Sequence, residues 1–183
     1  MRIISGKYKG RRLEVPKNFK ARPTTDFAKE NLFNVLSNIV DWEECEALDL
    51  FGGTGSISFE FVSRGCPKVI CVEKNPAHYT FIEKSKNILG AAELTIFKMD
   101  VFKFLYSCRQ QFDIIFADPP YDLKNLPDIP HSIIDNDIIR EGGIFIMEHP
   151  KTFDFSDLPF FKEKRTYGSV NFSIFIREEK AGN

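Results

Sequence analysis

The chain is poor in the residues that would place it in several large protein classes. Its four cysteines, Cys45, Cys66, Cys71 and Cys108, form no Cys-x-x-Cys pair and show no zinc spacing. They read as small core residues of a protein kept in a reducing compartment, so the cytoplasm is the expected location. The three histidines, His78, His131 and His149, show no ligand spacing and read as surface or capping residues. Nothing in the sequence calls for a metal. No apolar run approaches the roughly 20 residues of a membrane span, so no membrane association is expected. The opening MRIISGKYKGRRL lacks the apolar stretch of a signal peptide. There is no internal repeat and no low-complexity segment. These absences exclude a disulfide scaffold, a zinc module and a repeat array. What remains is 183 residues with 43% hydrophobic and 28% charged side chains, which suits one globular domain with a small appendage.

The net charge is −1, but the charge is unevenly placed. Residues 1–22 hold eight basic side chains, Arg2, Lys7, Lys9, Arg11, Arg12, Lys17, Lys20 and Arg22, against the single acid Glu14. The rest of the chain is acidic. A basic arm on an acidic body suits a polyanion held against one edge of the molecule. A solvated lysine-rich terminus would show the same charge.

Within the arm, Ile3-Ile4 and Leu13–Val15 flank a turn region from Gly6 to Gly10, which predicts a short β-hairpin or extended arm. A helix follows, capped by Thr25 or Asp26, with Phe27, Leu32, Phe33, Leu36, Ile39 and Val40 as its apolar stripe. From Ala47 the pattern alternates. Strands are predicted at 47–51, 69–73, 94–98, 112–117 and 144–148, and helices at 56–64, 76–89, 101–107 and 132–140. Strands without strict alternation, separated by helices, indicate a parallel sheet covered on both faces. Residues 160–167 and 170–177 flank Gly168-Ser169 and predict a terminal hairpin, with the tail phenylalanines in core and sheet. The expected fold is α/β, a mostly parallel seven-stranded sheet, with residues 1–41 as a basic hairpin arm and helix and residues 42–183 as a Rossmann-like domain.

Residues 48–55 read LDLFGGTG: a hydrophobic strand runs into three glycines, and Ser56 opens a helix. Gly52, Gly53 and Gly55 let the backbone approach a ligand closely, at the strand end where open α/β sheets bind ligands. Glu73 ends the next strand eighteen residues later and can accept hydrogen bonds from both hydroxyls of a ribose. A nicotinamide dinucleotide and S-adenosylmethionine both fit. Asp49 and the Gly-x-Gly form favour the second and resemble motif I of class I methyltransferases. In that resemblance Asp49 faces the methionine amino group, and the glycines flank the methionine portion, with Phe51 and Lys74 alongside. Asp100, next to Val101, resembles the acid that meets the adenine amine, and it also suits a helix N-cap.

The fourth strand ends in Asp118-Pro119-Pro120-Tyr121. An exocyclic amine is a poor nucleophile because its lone pair is delocalised into the ring. Asp118 can accept one N–H of such an amine and the Pro119 carbonyl the other. The prolines fix φ and remove competing donors, so the acceptors are held before reaction. Tyr121 offers a flat face on which a base stacks. The tetrapeptide resembles motif IV of the amino-methyltransferases, whose substrates include adenine N6, cytosine N4, guanine N2 and protein glutamine. Asp in place of Asn argues against the glutamine enzymes, and the motif does not separate the bases.

The stretches Arg2–Leu13 and Arg22–Asn34 match, at Arg2, Gly6, Gly10, Arg11, Leu13, Arg22, Pro23, Thr24, Asp26, Glu30, Phe33 and Asn34, the pattern of the RsmD-type 16S ribosomal RNA guanine-N2 methyltransferases. Leu48–Gly55, Asp118–Tyr121 and Tyr167-Gly168 match as well, so the resemblance covers nearly the whole chain. Lys29 departs from the usual Arg, Gly52 from the commoner Ala or Ser, and the segment from Asp122 to His131 is short. The resemblance implies methyl transfer from S-adenosylmethionine, with S-adenosylhomocysteine as product, to N2 of one guanine, conventionally position 966. The RNA would sit within an assembled or partly assembled small ribosomal subunit, with Lys7, Lys9, Arg11, Arg12, Arg22 and Thr24 as RNA contacts. The rivals are an adenine-N6 nucleic-acid methyltransferase and an inactive RNA-binding assembly factor.

Overall fold

The computed structural model describes residues 1–17, 19 and 26–179. Among the described residues, twelve elements of regular structure, apart from short 3-10 turns, follow the arm: α1 (Asp26–Leu36), β1 (Glu46–Leu50), α2 (Ser56–Arg64), β2 (Lys68–Val72), α3 (Pro76–Leu89), β3 (Leu94–Phe97), α4 (Val101–Ser107), β4 (Phe112–Ala117), α5 (Asp128–Asp135), β5 (Ile139–His149), β6 (Phe161–Tyr167) and β7 (Val170–Ile176). The strands form one sheet in the order β3-β2-β1-β4-β5-β7-β6. β1 to β5 pair in parallel, and β7 runs antiparallel between β5 and β6. The order reverses at β1, which lies between β2 and β4. That reversal opens a crevice beyond the carboxyl ends of β1 and β4.

Both faces of the sheet are dry, which explains why its parallel strands read as apolar runs. Leu32, Phe59, Cys71, Phe116 and Ile146 belong to the layer under α1, α2 and α3. Leu48, Ile70, Phe104, Ile133 and Phe145 fill the layer under α4 and α5. Local signals set the helix ends. Asn75 caps α3 by accepting from the Ala77 and His78 N–H groups, Pro76 occupies its first turn, and Gly90 ends it in the left-handed region. No helix among the described residues is long and apolar enough to cross a membrane.

One expectation is met in short form, and two need correction. The arm is a short, irregular hairpin: Met1 and Leu13 exchange backbone hydrogen bonds, Ile3 N donates to the Arg11 carbonyl at 3.1 Å and Gly10 N to the Ile3 carbonyl at 2.9 Å, around the Arg2–Arg12 bridge and a 3-10 turn at Gly6–Tyr8. The N–H groups on the side of the arm that faces α2 are satisfied by that helix. Ile4 and Ser5 donate to the Glu60 carboxylate at 3.0 Å each, and Tyr8 donates to Ser63 Oγ at 2.9 Å. Ile3 and Leu13 are buried in the same core as α1 and α2. The helix expected at 132–140 lies at Asp128–Asp135, and β5 begins at Ile139, because Asp137 turns through a positive φ of 55°. In α1 the buried face is Ala28, Lys29, Leu32, Phe33 and Leu36, whereas Phe27 is exposed, as is Ile39 beyond the helix end. Asp26 lies within α1 and pairs with Arg2 at 3.3 Å. Thr25 lies outside the described residues.

Candidate active site

A cavity of about 770 Å³ occupies the crevice at the reversal of strand order. Its floor follows from strand parity. Asp49 pairs in register with Cys71 and with Phe116, and Ala117 pairs with Met147. Side chains alternate along a strand, so Asp49, Glu73, Asp118 and Glu148 all project on one face. Each stands at or just past the carboxyl end of a different strand, and all four line the cavity.

The glycine loop forms one wall. Phe51 has a φ of 67°, an unfavourable value for a bulky residue, and turns the chain sharply off β1. Gly53 N donates to Glu73 Oε2 at 2.7 Å, and Asn75 N donates to Glu73 Oε1 at 2.6 Å. Glu73 thus ties the loop to the end of β2 while bordering the cavity. Gly52, Gly53, Lys74 and Val101 line the same space. Gly55 is the N-cap position of α2 with a φ of 74°. Asp100 caps α4 by accepting from Phe102 N at 3.0 Å, and it stands 3.7 Å from Lys74 Nζ. Gly55 and Asp100 are not among the residues that line the cavity.

Gly52 shows why this sequence departs from the commoner Ala or Ser. A Cβ there would lie 2.3 Å from Cys71 Sγ, so the loop and the strand beneath it interlock. Gly52→Ala is expected to cost about 1–3 kcal/mol in urea unfolding through overpacking. Cys71→Ala in the same chain is expected to restore most of that loss.

Asp49 is buried and accepts from the Ser58 N–H at 3.0 Å and from the Ser58 hydroxyl. Burial pushes its carboxyl up to about 7; the Ser58 bonds oppose the rise and the Glu73 charge adds to it. The folded protein therefore holds this proton more tightly than the unfolded chain. Stability should fall as pH rises from about 4 to about 7, by up to about 4 kcal/mol from this group, and level off above. Asp49→Asn should remove that part of the slope when urea unfolding is compared at pH 5 and pH 8.

The opposite wall is Asp118-Pro119-Pro120-Tyr121. Asp118 and Pro119 are at least half-buried, and Tyr121 is 39% exposed at the rim. The Tyr121 hydroxyl donates to Glu148 Oε1 at 3.0 Å, which fixes the plane of the ring. Leu123 N donates to the Pro120 carbonyl at 3.0 Å and closes the turn.

Of the arm residues, Lys9, Arg11 and Arg12 are exposed, and Lys7 is ion-paired with Glu93. Arg22 and Thr24 lie outside the described residues. Sequence reasoning missed Glu148, Phe19 and His78, all of which line the cavity. His78 is half-buried, 3.7 Å from Glu73 Oε2, with its ring tilted against that of Phe19 at a centroid separation of 4.5 Å, so it is not a plain surface residue. His149 is fully buried, with Nε2 bonded to Ser173 Oγ and Nδ1 to the Pro150 carbonyl, both at 2.8 Å. Burial lowers its pKa.

The residues present fit S-adenosylmethionine. The Gly52–Gly53 backbone lines the cavity beside Asp49 and Glu73, and the carboxyl groups offer acceptors for ammonium and ribose hydroxyls. A seven-stranded sheet with this order, this glycine loop and an acidic-Pro-Pro-aromatic turn defines a class I S-adenosylmethionine-dependent methyltransferase fold. The family model described as conserved hypothetical protein 95 matches residues 1–176, and the chain belongs to that family, the RsmD type. A Bacillus subtilis (strain 168) protein, "Putative rRNA methyltransferase YlbH", is 31% identical over 185 residues, covering 96% of this chain and 98% of its own. "Ribosomal RNA small subunit methyltransferase D" of Escherichia coli (strain K12) is 27% identical over 181 residues, covering 97% and 90%. Among solved structures, "Putative methyltransferase yhhF from Escherichia coli" superposes with a TM-score of 0.86 at 26% identity, covering 98% of this chain and 99% of that one.

Proposed function

We propose that this protein methylates the exocyclic N2 of a guanine in the 16S ribosomal RNA, within an assembled or partly assembled small subunit, at the position conventionally numbered 966. The observation that carries the reading is the placement of Asp118–Tyr121 across one cavity from the Gly52–Gly55 loop and Glu73. Relatives named for methylation of ribosomal RNA over almost their full length support the choice of RNA.

S-adenosylmethionine, when bound, supplies an electrophilic methyl group and departs as S-adenosylhomocysteine. Glu73 would hold the ribose, and the Gly52–Gly53 backbone and Asp49 would hold the methionine portion. Val101 would serve the adenine, with Asp100 as acceptor for its amine. Tyr121 stacks on a guanine taken out of its own stack, which the enzyme must do to reach the amine. Asp118 and the Pro119 carbonyl each accept an amine N–H. These bonds turn the nitrogen lone pair out of conjugation and stabilise the positive charge that develops. The amine proton leaves after transfer, when nitrogen is most acidic, so no strong base is needed. Lys9, Arg11 and Arg12 meet phosphates, which makes affinity salt-dependent.

The test is labelled methyl transfer to unmethylated small subunits, followed by nucleoside analysis. N2-methylguanosine is the expected product. N6-methyladenosine would keep the mechanism and overturn the substrate. Cofactor binding without transfer to subunits, naked RNA or DNA would favour an assembly factor.

A further inference from the structure

Resting on that reading, we propose that Glu148 is the residue that selects guanine, by accepting the N1–H that stands next to the reacting amine. The Asp-Pro-Pro-Tyr turn recognises an amine and does not distinguish one base from another. Glu148 sits where the distinction can be made. It is the penultimate residue of β5, the strand paired in parallel with β4, and Ala117 faces Met147 in that register. Asp118 and Glu148 are therefore the next residues along two adjacent strands, on one face, with backbones about 4.8 Å apart. Both line the cavity. Glu148 is only 5% exposed, and the Tyr121 hydroxyl orients its carboxylate. A carboxylate offers about four lone-pair sites on two oxygens, so it can accept from the Tyr121 hydroxyl and from a base donor together.

The bases differ at the ring atom beside the amine. Guanine carries a donor there, N1–H next to N2. Adenine presents the bare acceptor N1 next to N6, and cytosine the bare acceptor N3 next to N4. A carboxylate beside Asp118 completes a pair of acceptors for guanine's two neighbouring donors. With adenine or cytosine it would face a lone pair in a poorly solvated site, which is repulsive and leaves a buried charge unsatisfied. Sites built on such hydrogen bonds reject analogues strongly. Tyr121 links the two functions: its ring takes the base face, and its hydroxyl sets the group that reads the base edge.

The test uses small subunits reconstituted with guanine or 2-aminopurine at the position that nucleoside mapping identifies. 2-Aminopurine keeps the N2 amine but has a bare N1. The wild-type protein is expected to favour guanine by about 100-fold in kcat/KM. Glu148→Gln, whose amide can donate to a bare N1, is expected to narrow that preference at least tenfold. Its cofactor affinity and thermal unfolding should stay near wild type. The 2-aminopurine comparison on the wild type needs no variant and holds even if the variant folds poorly. Equal rates on the two substrates, or a preference that Glu148→Gln leaves unchanged, would overturn the role of Glu148 while N2-methylguanosine formation upheld the function. A wild type that made no N2-methylguanosine would overturn both.

Discussion

Asp118→Ala is expected to lower the rate of methyl transfer about 10²–10³-fold or more while leaving the affinity for S-adenosylmethionine within about twofold. The asymmetry follows from position. Asp118 stands at the end of β4, where its N–H reaches back to the Leu50 carbonyl at 3.5 Å, and its side chain borders the cavity. Its proposed bond to the amine strengthens as nitrogen becomes cationic, so losing it raises the barrier and not the ground-state binding. One preorganised electrostatic partner of this kind is worth roughly 3–4 kcal/mol. Asp118→Asn keeps a carbonyl acceptor and should lose only about tenfold. Single-turnover transfer and an equilibrium cofactor titration separate the two effects. Weakened cofactor binding with normal turnover would show that Asp118 belongs to the cofactor site instead.

Glu60→Ala should have the largest effect on stability, about 3–5 kcal/mol in urea unfolding, because it breaks a buried ionic cluster from one side. Glu60 and Lys29 are 0% and 1% exposed and 3.9 Å apart. Lys29 Nζ donates to the Arg2 carbonyl at 2.7 Å and to Ser56 Oγ at 2.9 Å, while Arg64 pairs with Glu60 at 3.2 Å. Burial lowers the Lys29 pKa and the Glu60 charge raises it, so loss of Glu60 would leave a poorly solvated ammonium. The same carboxylate holds the arm through the Ile4 and Ser5 N–H groups. Hydrogen exchange at those two amides should therefore accelerate in the variant far more than in β1. Adding Lys29→Met should recover part of the stability and none of the arm protection.

The alternating strands and helices and the glycine loop were readable because local chemistry writes them. Apolar runs, a capping Asn75 with Pro76, and LDLFGGTG each mark their own element. The short hairpin of the arm was readable from its turn glycines, but its docking was not, because that is not local: the Ile4 and Ser5 N–H groups go to Glu60, more than fifty residues away. Glu148 was missed for a related reason. Nothing around it marks a site, and it enters the cavity only because β5 lies beside β4. His149 read as a surface residue because burial of a histidine on β5 depends on Ser173, a partner on β7. Gly52 was visible as a departure, but the reason, the thiol of Cys71, lies on the neighbouring strand.

That thiol also gives the molecule a chemical clock. All four cysteines are buried, and burial, with the negative charge of Asp49 beside it, keeps the Cys71 sulfur protonated. Alkylation needs both access and thiolate, so the folded chain withholds Cys71 until the loop above it lifts. The rate at which a small alkylating reagent reaches Cys71 thus counts openings of the glycine loop, and a ligand that seats on that loop slows the count.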